Sequence, residues 1–336
     1  MSLVSEHLPL EDIPRVTVPT GERRMKRIAF LAEVRNRALR PLYLDPSIRY
    51  DKLLFINDVI FNPIDAANLL FSTNVNSEGR AQYDAACAVD FINPFKFYDT
   101  YATRDLEGFS MGIPFFPWFS NAGKSTSRQD VLAQKDAVRV RSCWGGMTAF
   151  DAKWFQGNGD LADSNVAGLQ LSPLHFRYEE DSFWDASECC LIQADLTYLH
   201  HGRNSTTDTG IVTNPYVRVA YDLGTLRWLP YTRRVERLYP FIHNLLNHLA
   251  GLPYNNPRRL EQPGDEVVEQ VWKYDENKGI LKSGATDGVP KGSYHEVRRV
   301  ATPGKFCGSR NLLVLVDNAK EGEKKWMNVP LPSPPG

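Results

Sequence analysis

Two apolar runs in this sequence close on an acid, and that spacing is the first feature able to do chemistry. Lys52-Leu53-Leu54-Phe55-Ile56 leads into Asn57-Asp58-Val59, and Tyr83-Asp84-Ala85-Ala86-Cys87-Ala88-Val89 leads into Asp90-Phe91. Open α/β sheets bind ligands at the carboxyl ends of their strands, where a carboxylate can meet a metal or a ligand. The plainer alternative is that Asp58 only stops a strand, or caps the helix suggested by Pro63-Ile64-Asp65-Ala66-Ala67-Asn68-Leu69-Leu70. The recurrence counts for more than either match, because two such strands would deliver Asp58 and Asp90 to one sheet edge. Further on, Ala137-Val138-Arg139-Val140-Arg141 alternates as a strand should and meets Ser142-Cys143-Trp144-Gly145-Gly146. The two glycines either let the backbone approach a ligand closely or make a tight turn and nothing more. Glu188, behind Ser187 at a helix start, either complements the helix dipole or is directed at an acceptor. Arg104 beside Asp105 is a structural ion pair or part of a site, and Arg35 lies on a solvated helix face or faces phosphate.

The elements that must position these groups follow from periodicity and breakers. Residues 1–25, with Pro9, Pro14 and Pro19, read as an extended arm, and helical spacing then runs over 25–39 until Pro41. A strand is expected over 52–61, a helix over 63–71 and a second strand over 83–91. A long aromatic-rich loop over 109–128 has the length of a functional lid. A helix or turn over 149–155, a short strand over 174–178, a helix from Ser187, a strand over 216–222 and a helix over 239–249 complete the main body. On that last helix His243 and His248 are five apart, which speaks against a helical metal pair. Beyond Gly251 a helix over 265–273 and a strand over 310–317 are expected. With no internal repeat and no clean linker, the preferred division is an arm over 1–25, one domain over 26–250, and a C-terminal extension over 251–336 packed on the same domain.

Composition sets the bounds. The chain has 336 residues, 42% of them hydrophobic, which suffices for a large core and excludes wholesale disorder. A formal net charge of -1 with scattered Lys and Arg provides no footprint for nucleic acid. The 11% of aromatic residues, many beside Asp, Asn or Arg, is a weak hint of a carbohydrate site. Five cysteines form no CxxC pair and no metal-ligand spacing. Cys87 and Cys189 lie in apolar surroundings where an inert buried thiol is the default, with a disulfide between distant positions left open. Asn204-Ser205-Thr206 is a glycosylation sequon, relevant only on the secretory route. No run reaches the roughly 18 apolar residues of a membrane span, and no basic-then-apolar leader opens the chain.

The order of motifs, strand-end acid, second strand-end acid, Trp-Gly-Gly turn and Glu-led helix, resembles nucleotide-sugar transferases of the GT-A type. Longer words sharpen this. Leu31-Ala32-Glu33-Val34-Arg35-Asn36-Arg37-Ala38-Leu39, Phe55-Ile56-Asn57-Asp58-Val59, Tyr83 through Phe91, Tyr98-Asp99-Thr100 through Arg104-Asp105-Leu106-Glu107-Gly108, Ser142-Cys143-Trp144-Gly145-Gly146-Met147, Ser187-Glu188-Cys189, Asn214 through Asp222 and Pro303 through Arg310 are similar to the fungal α-1,3-mannosyltransferases of glycosyltransferase family 69, related to cryptococcal capsule-associated enzymes. The resemblance implies an α/β, GT-A-like fold, a mixed sheet flanked by helices. It implies retaining transfer of mannose from GDP-mannose to a mannoside acceptor, assisted by Mn2+ or Mg2+ held at Asp58. In that picture Asn57, Asp90, Arg35, Arg104, Trp144, Gly145 and Gly146 contact the donor or its sugar, and Glu188 and Asp105 are catalytic. The family also implies a Golgi membrane location through an N-terminal anchor, and that anchor and the first strands of the nucleotide-binding half are expected to lie outside this chain. The rival reading is a catalytically silent GT-A-like protein that binds a sugar or a partner.

Overall fold

A computed structural model describes residues 9–44, 47–156, 165–203, 208–275, 292–316, 319–320 and 322–332. The sequon at Asn204 lies outside these residues. The apolar runs build one seven-stranded mixed sheet from β1 (Lys52–Ile56), β2 (Ala85–Asn93), β3 (Lys96–Phe97), β4 (Arg104–Asp105), β5 (Val138–Ser142), β6 (Met147–Asp151) and β7 (Ile211–Ala220). Their order is β1-β6-β2-β7-β5-β4, with β3 paired to β2. β6 runs antiparallel to both β1 and β2, and β7 runs parallel to β2, so β1, β2 and β7 point the same way. Their carboxyl ends therefore share one edge, where the sequence places Asn57-Asp58, Asp90 and Tyr221.

Side-chain alternation on β2 explains the layers. Ala85, Cys87, Val89 and Phe91 face a core shared with Phe55, Trp144, Phe150, Phe176, Ile192 and Leu196. Ala86 and Ala88 face the other way, onto Leu69, Met147, Ala149, Val217 and Val219. Helices α1 (Arg27–Leu39) and α4 (Glu188–His201) cover the first face, and α2 (Pro63–Phe71) covers the second. Three further helices, α3 (Thr126–Leu132), α5 (Leu223–Val235) and α6 (Pro240–Leu249), lie around this body. The result is a mixed α/β, GT-A-like arrangement.

Several expectations change. Glu266–Tyr274 is a strand, not a helix, and pairs antiparallel with Gly292–Val300 along its whole length. Its burial alternates with period two, the pattern of a half-exposed hairpin, which short-range helical counting passes over. The arm is not simply extended: Arg15–Thr17 and Arg23–Met25 form a hairpin, and Val18 packs with Phe183, Trp272, Leu312 and Val314 from the C-terminal half. Residues 174–178 form no strand, and residues 149–155 divide into the end of β6 and a 3-10 turn over Ala152–Phe155. Helix α5 was not anticipated, because Pro230 sits inside it. The loop after Phe109 is pinned rather than free: Ile113 N donates to Asn247 Oδ1 at 2.7 Å, and Arg128 Nη1 meets the buried ring of His243 at 2.8 Å. Burial and that arginine push the His243 imidazole down to about 4.

Cys87 is not a free thiol. It is bonded to Cys143, and Cys190 is bonded to Cys307, leaving Cys189 as the buried free cysteine. Both pairs join segments far apart in sequence, across positions that only the folded sheet brings together.

Candidate active site

Asp58 follows β1 at the shared carboxyl edge. It is exposed, and no hydrogen bond or ion pair with another described residue engages its carboxylate. It does not cap α2, because Asn62 Oδ1 takes that role by accepting from Ile64 N at 3.0 Å. The capping alternative for this residue thus loses its physical basis, and a solvent-facing carboxylate is left beside the strand end. Asn57 is tied by its backbone, its N–H donating to Gly146 O at 2.9 Å.

Asp90, on β2, is fully buried. Its Oδ2 accepts from Tyr221 Oη at 2.8 Å and its Oδ1 from Asp99 N at 3.0 Å. Burial, and then the neighbouring Asp99 carboxylate, push Asp90 up to about 7, against the stabilising hydrogen bonds. Asp99 is raised as well, chiefly by burial, although it accepts from Ala102 N at 3.1 Å and Gly145 N at 3.2 Å. A buried carboxylate beside a second, half-buried one holds a proton into the neutral range. The Tyr221 hydroxyl is pushed far upward by burial and by Asp90, with Asp99 and Asp58 adding to it, so all three acids surround this tyrosine.

The linkage sign follows. Between the ordinary carboxylate range and about 7, the folded state holds more protons than the unfolded chain, so stability falls as pH rises through that window. Asp90→Asn should flatten the stability profile between about pH 4 and 7, which urea titrations at several pH values would read. An unchanged slope would remove the shared proton from this account.

Glu188 opens α4 and is 2% exposed. Its start position was legible, but Ser187 makes no side-chain cap bond. Arg35 Nε on α1 donates to Glu188 Oε1 at 3.0 Å, and the guanidinium lies 4.3 Å from the centroid of the Trp144 ring. Trp144 is thereby roofed by a cation and buried, rather than laid open as a sugar platform. Burial opposes the Arg35 charge, and the Glu188 and Asp99 carboxylates outweigh it and hold it up. The Cys189 thiol, wedged in the same place, is pushed well up by burial first and by Glu188 next. Tyr221, Asp90 and Asp99 are thus linked by hydrogen bonds, and the Arg35–Glu188 ion pair lies close enough to feel the Asp99 charge.

The glycine pair serves the chain's own packing. Gly145 and Gly146 have φ of +57° and +69°, and a Cβ on Gly145 would meet Ala88 O at 1.9 Å. Close approach is required, but to β2, and it brings Gly145 N to the Asp99 carboxylate. Arg104 and Asp105 stand apart from the cluster in their bonding. Arg104 is buried and donates to the carbonyls of Thr100, Tyr101, Thr103, Phe306 and Cys307, which leaves its guanidinium committed to backbone. Asp105 Oδ1 accepts from Glu107 N at 3.0 Å and Phe109 N at 2.8 Å, closing a turn, and burial pushes it up to about 7. Asp222, another strand-end acid, caps α5 by accepting from Thr225 N at 2.8 Å and Thr225 Oγ1 at 2.6 Å. Asp99 and Tyr221 are the residues that the sequence did not single out.

For a hard divalent cation the donor set is one free carboxylate, Asp58. Asp90 and Asp99 already spend both oxygens on hydrogen bonds. Magnesium-type sites commonly use one or two carboxylates together with the substrate's phosphates, so this set fits a metal that arrives with a diphosphate. A cavity of about 850 Å³ lies elsewhere, beside α1, lined by Glu33, Asn36, Glu179, Arg258 and Arg299 among others. Its ion pairs, such as Lys305 to Glu179 at 2.8 Å and Arg258 to Asp181 at 2.8 Å, make it a structural seam as much as a pocket.

Residues 2–195 match the family model described as cryptococcal mannosyltransferase 1. No curated protein and no solved structure matches the chain. The matched span contains Arg35, Asp58, Asp90, Asp99, the Trp-Gly-Gly turn and Glu188, and stops before Tyr221.

Proposed function

This chain belongs to the cryptococcal mannosyltransferase 1 family, a family of mannosyltransferase-type glycosyl transfer, and on that premise we propose that it moves mannose from GDP-mannose to a mannoside hydroxyl in α-1,3 linkage with retention. The observation that carries the reading is the shared edge: β1, β2 and β7 end together, with exposed Asp58 beside the buried Asp90–Tyr221 pair. Asp58 would hold Mn2+ or Mg2+. When bound, such an ion neutralises charge building on the leaving diphosphate. Asp90 and Asp99 fix the Trp144–Gly146 turn and the Tyr221 hydroxyl at the rim. Arg35 orients Glu188 through the 3.0 Å bond to its Oε1, so that Glu188 can align or deprotonate an acceptor hydroxyl. Arg104 and Asp105 act by holding backbone rather than by touching the donor.

Two buried disulfides support an oxidising compartment and agree with a lumenal, Golgi-type location. Among the described residues no helix is long and apolar enough to cross a membrane.

The test is incubation of the chain with GDP-mannose, a mannobiose acceptor and Mn2+, with the product linkage read by NMR. An α-1,3 trisaccharide is expected, and EDTA should abolish it. The silent-binder alternative is favoured if neither transfer nor donor hydrolysis occurs and calorimetry finds no Mn2+-dependent GDP affinity.

A further inference from the structure

Helix α4 begins at Glu188 and, 14 residues long, ends about 20 Å away at the opposite edge of the sheet. There its last two residues, His200 and His201, meet Asp84, which directly precedes β2. We propose that Asp84, His200 and His201 form a binding site for one divalent cation of the zinc class, separate from the carboxylate edge at Asp58.

The side chains of Asp84, His200 and His201 are the one group of three potential metal ligands among the described residues whose donor atoms all lie within 4.8 Å of one another. Two ligands sharing a zinc at about 2.0–2.2 Å stand roughly 3.5 Å apart, so a small inward movement closes the set. His200 Nδ1 lies 2.5 Å from Asp84 Oδ2, so this pair instead parts by about 1 Å as an ion takes the place of the proton between them.

The surroundings resemble the supporting shell of a metal site. Asp84 Oδ1, the oxygen turned from His200, accepts from Trp154 Nε1 at 3.0 Å, which fixes the carboxylate. The same indole packs 5.2 Å from the His200 ring, and His200 stacks on His201 at 4.0 Å. Gly210 makes room for the carboxylate, since a Cβ there would overlap Asp84 Oδ2. The group opens into a polar cavity of about 740 Å³ that also holds Asp151 and Asp208, giving an ion a route in.

Donor type selects the metal. Two imidazoles and one carboxylate suit zinc, with a fourth position for water, and suit Mg2+ or Mn2+ poorly. Lys153 Nζ, 3.9 Å from Asp84 Oδ1, opposes a cation, but its side chain is half exposed and can turn to solvent.

The experiment is calorimetric titration of ZnCl2 into metal-free full chain at pH 7.5, with the native sequence and with His201→Gln, His200→Gln and Asp58→Asn. One equivalent should bind at micromolar Kd or tighter. It should weaken at least tenfold in each histidine variant and persist in Asp58→Asn. His201 is exposed and bonded to no buried group, so His201→Gln should keep the native Tm and remain interpretable if His200→Gln does not. Native-like zinc affinity in His201→Gln, or no stoichiometric binding by the native chain, would overturn the proposal.

Discussion

Asp58→Asn should lower kcat/KM for mannosyl transfer by roughly a hundredfold or more while leaving Tm unchanged within a degree. The two halves of this expectation come from one fact: Asp58 is exposed and unengaged by the rest of the described chain, so its charge has little to do until a ligand arrives. A residue whose only task is to hold an ion against a diphosphate should cost activity and nothing else. Asn keeps the shape and one oxygen but removes the negative charge that a hard cation requires. Glu188→Gln offers the contrast. It leaves Arg35 partly buried over Trp144 without a counter-charge, and breaking such pairs typically costs about 3–5 kcal/mol. Activity and Tm should therefore fall together there, and only the Asp58 variant separates them. Steady-state kinetics with melting curves on both proteins decide it, and near-normal turnover by Asp58→Asn would remove that residue from the site.

The position of Asp58 and Asp90 on one edge was legible because it depends on local facts: an apolar run, its length, and the acid that closes it. Strand direction then does the rest, since β1, β2 and β7 agree. Asp99 and Tyr221 were not legible in the same way. Asp99 reaches Asp90 only through the turn after β3, and Tyr221 only because β7 pairs parallel with β2, so neither contact has a signature at short range. Arg104 illustrates the opposite error. An arginine beside an aspartate reads as an ion pair or a phosphate clamp, yet three carbonyls just before it and two from the distant Phe306–Cys307 turn converge on it, and convergence of backbone is invisible to pattern. The same holds for the cysteines, whose partners are 56 and 117 residues away. The Glu266–Tyr274 strand carries no clean polar alternation, since Glu266, Val268, Gln270 and Trp272 share one face and Val267, Glu269 and Val271 the other, and its pairing with Gly292–Val300 is what decides it.

Cys190→Ser with Cys307→Ser should destabilise the chain by about 2–5 kcal/mol, the range for removing a native bridge that closes a long loop. The pair spans 117 residues, so its loss frees much of the C-terminal half in the unfolded ensemble. The folded state also loses a fastener. Cys307 lies in the turn that Arg104 holds through the Phe306 and Cys307 carbonyls, and Cys190 sits one turn into α4, two residues from Glu188. Arg104, Asn256 and the apolar cluster of Phe306 with Leu191 and Ala194 would then hold this turn against the helix that carries the Arg35 partner, without a covalent tie. Activity should drop along with stability, because slack at the start of α4 is slack in Glu188. The Cys87–Cys143 bridge closes 56 residues and is backed by Gln193, which bonds both the N–H and the carbonyl of Cys143 at 2.8 Å and 2.6 Å. Its removal should cost a similar amount of stability but leave Glu188 seated, so kcat measured well below the melting point should suffer less. Melting curves and kinetics on the two double variants test the ordering. Equal losses of kcat would show that the C-terminal turn does not position the start of α4.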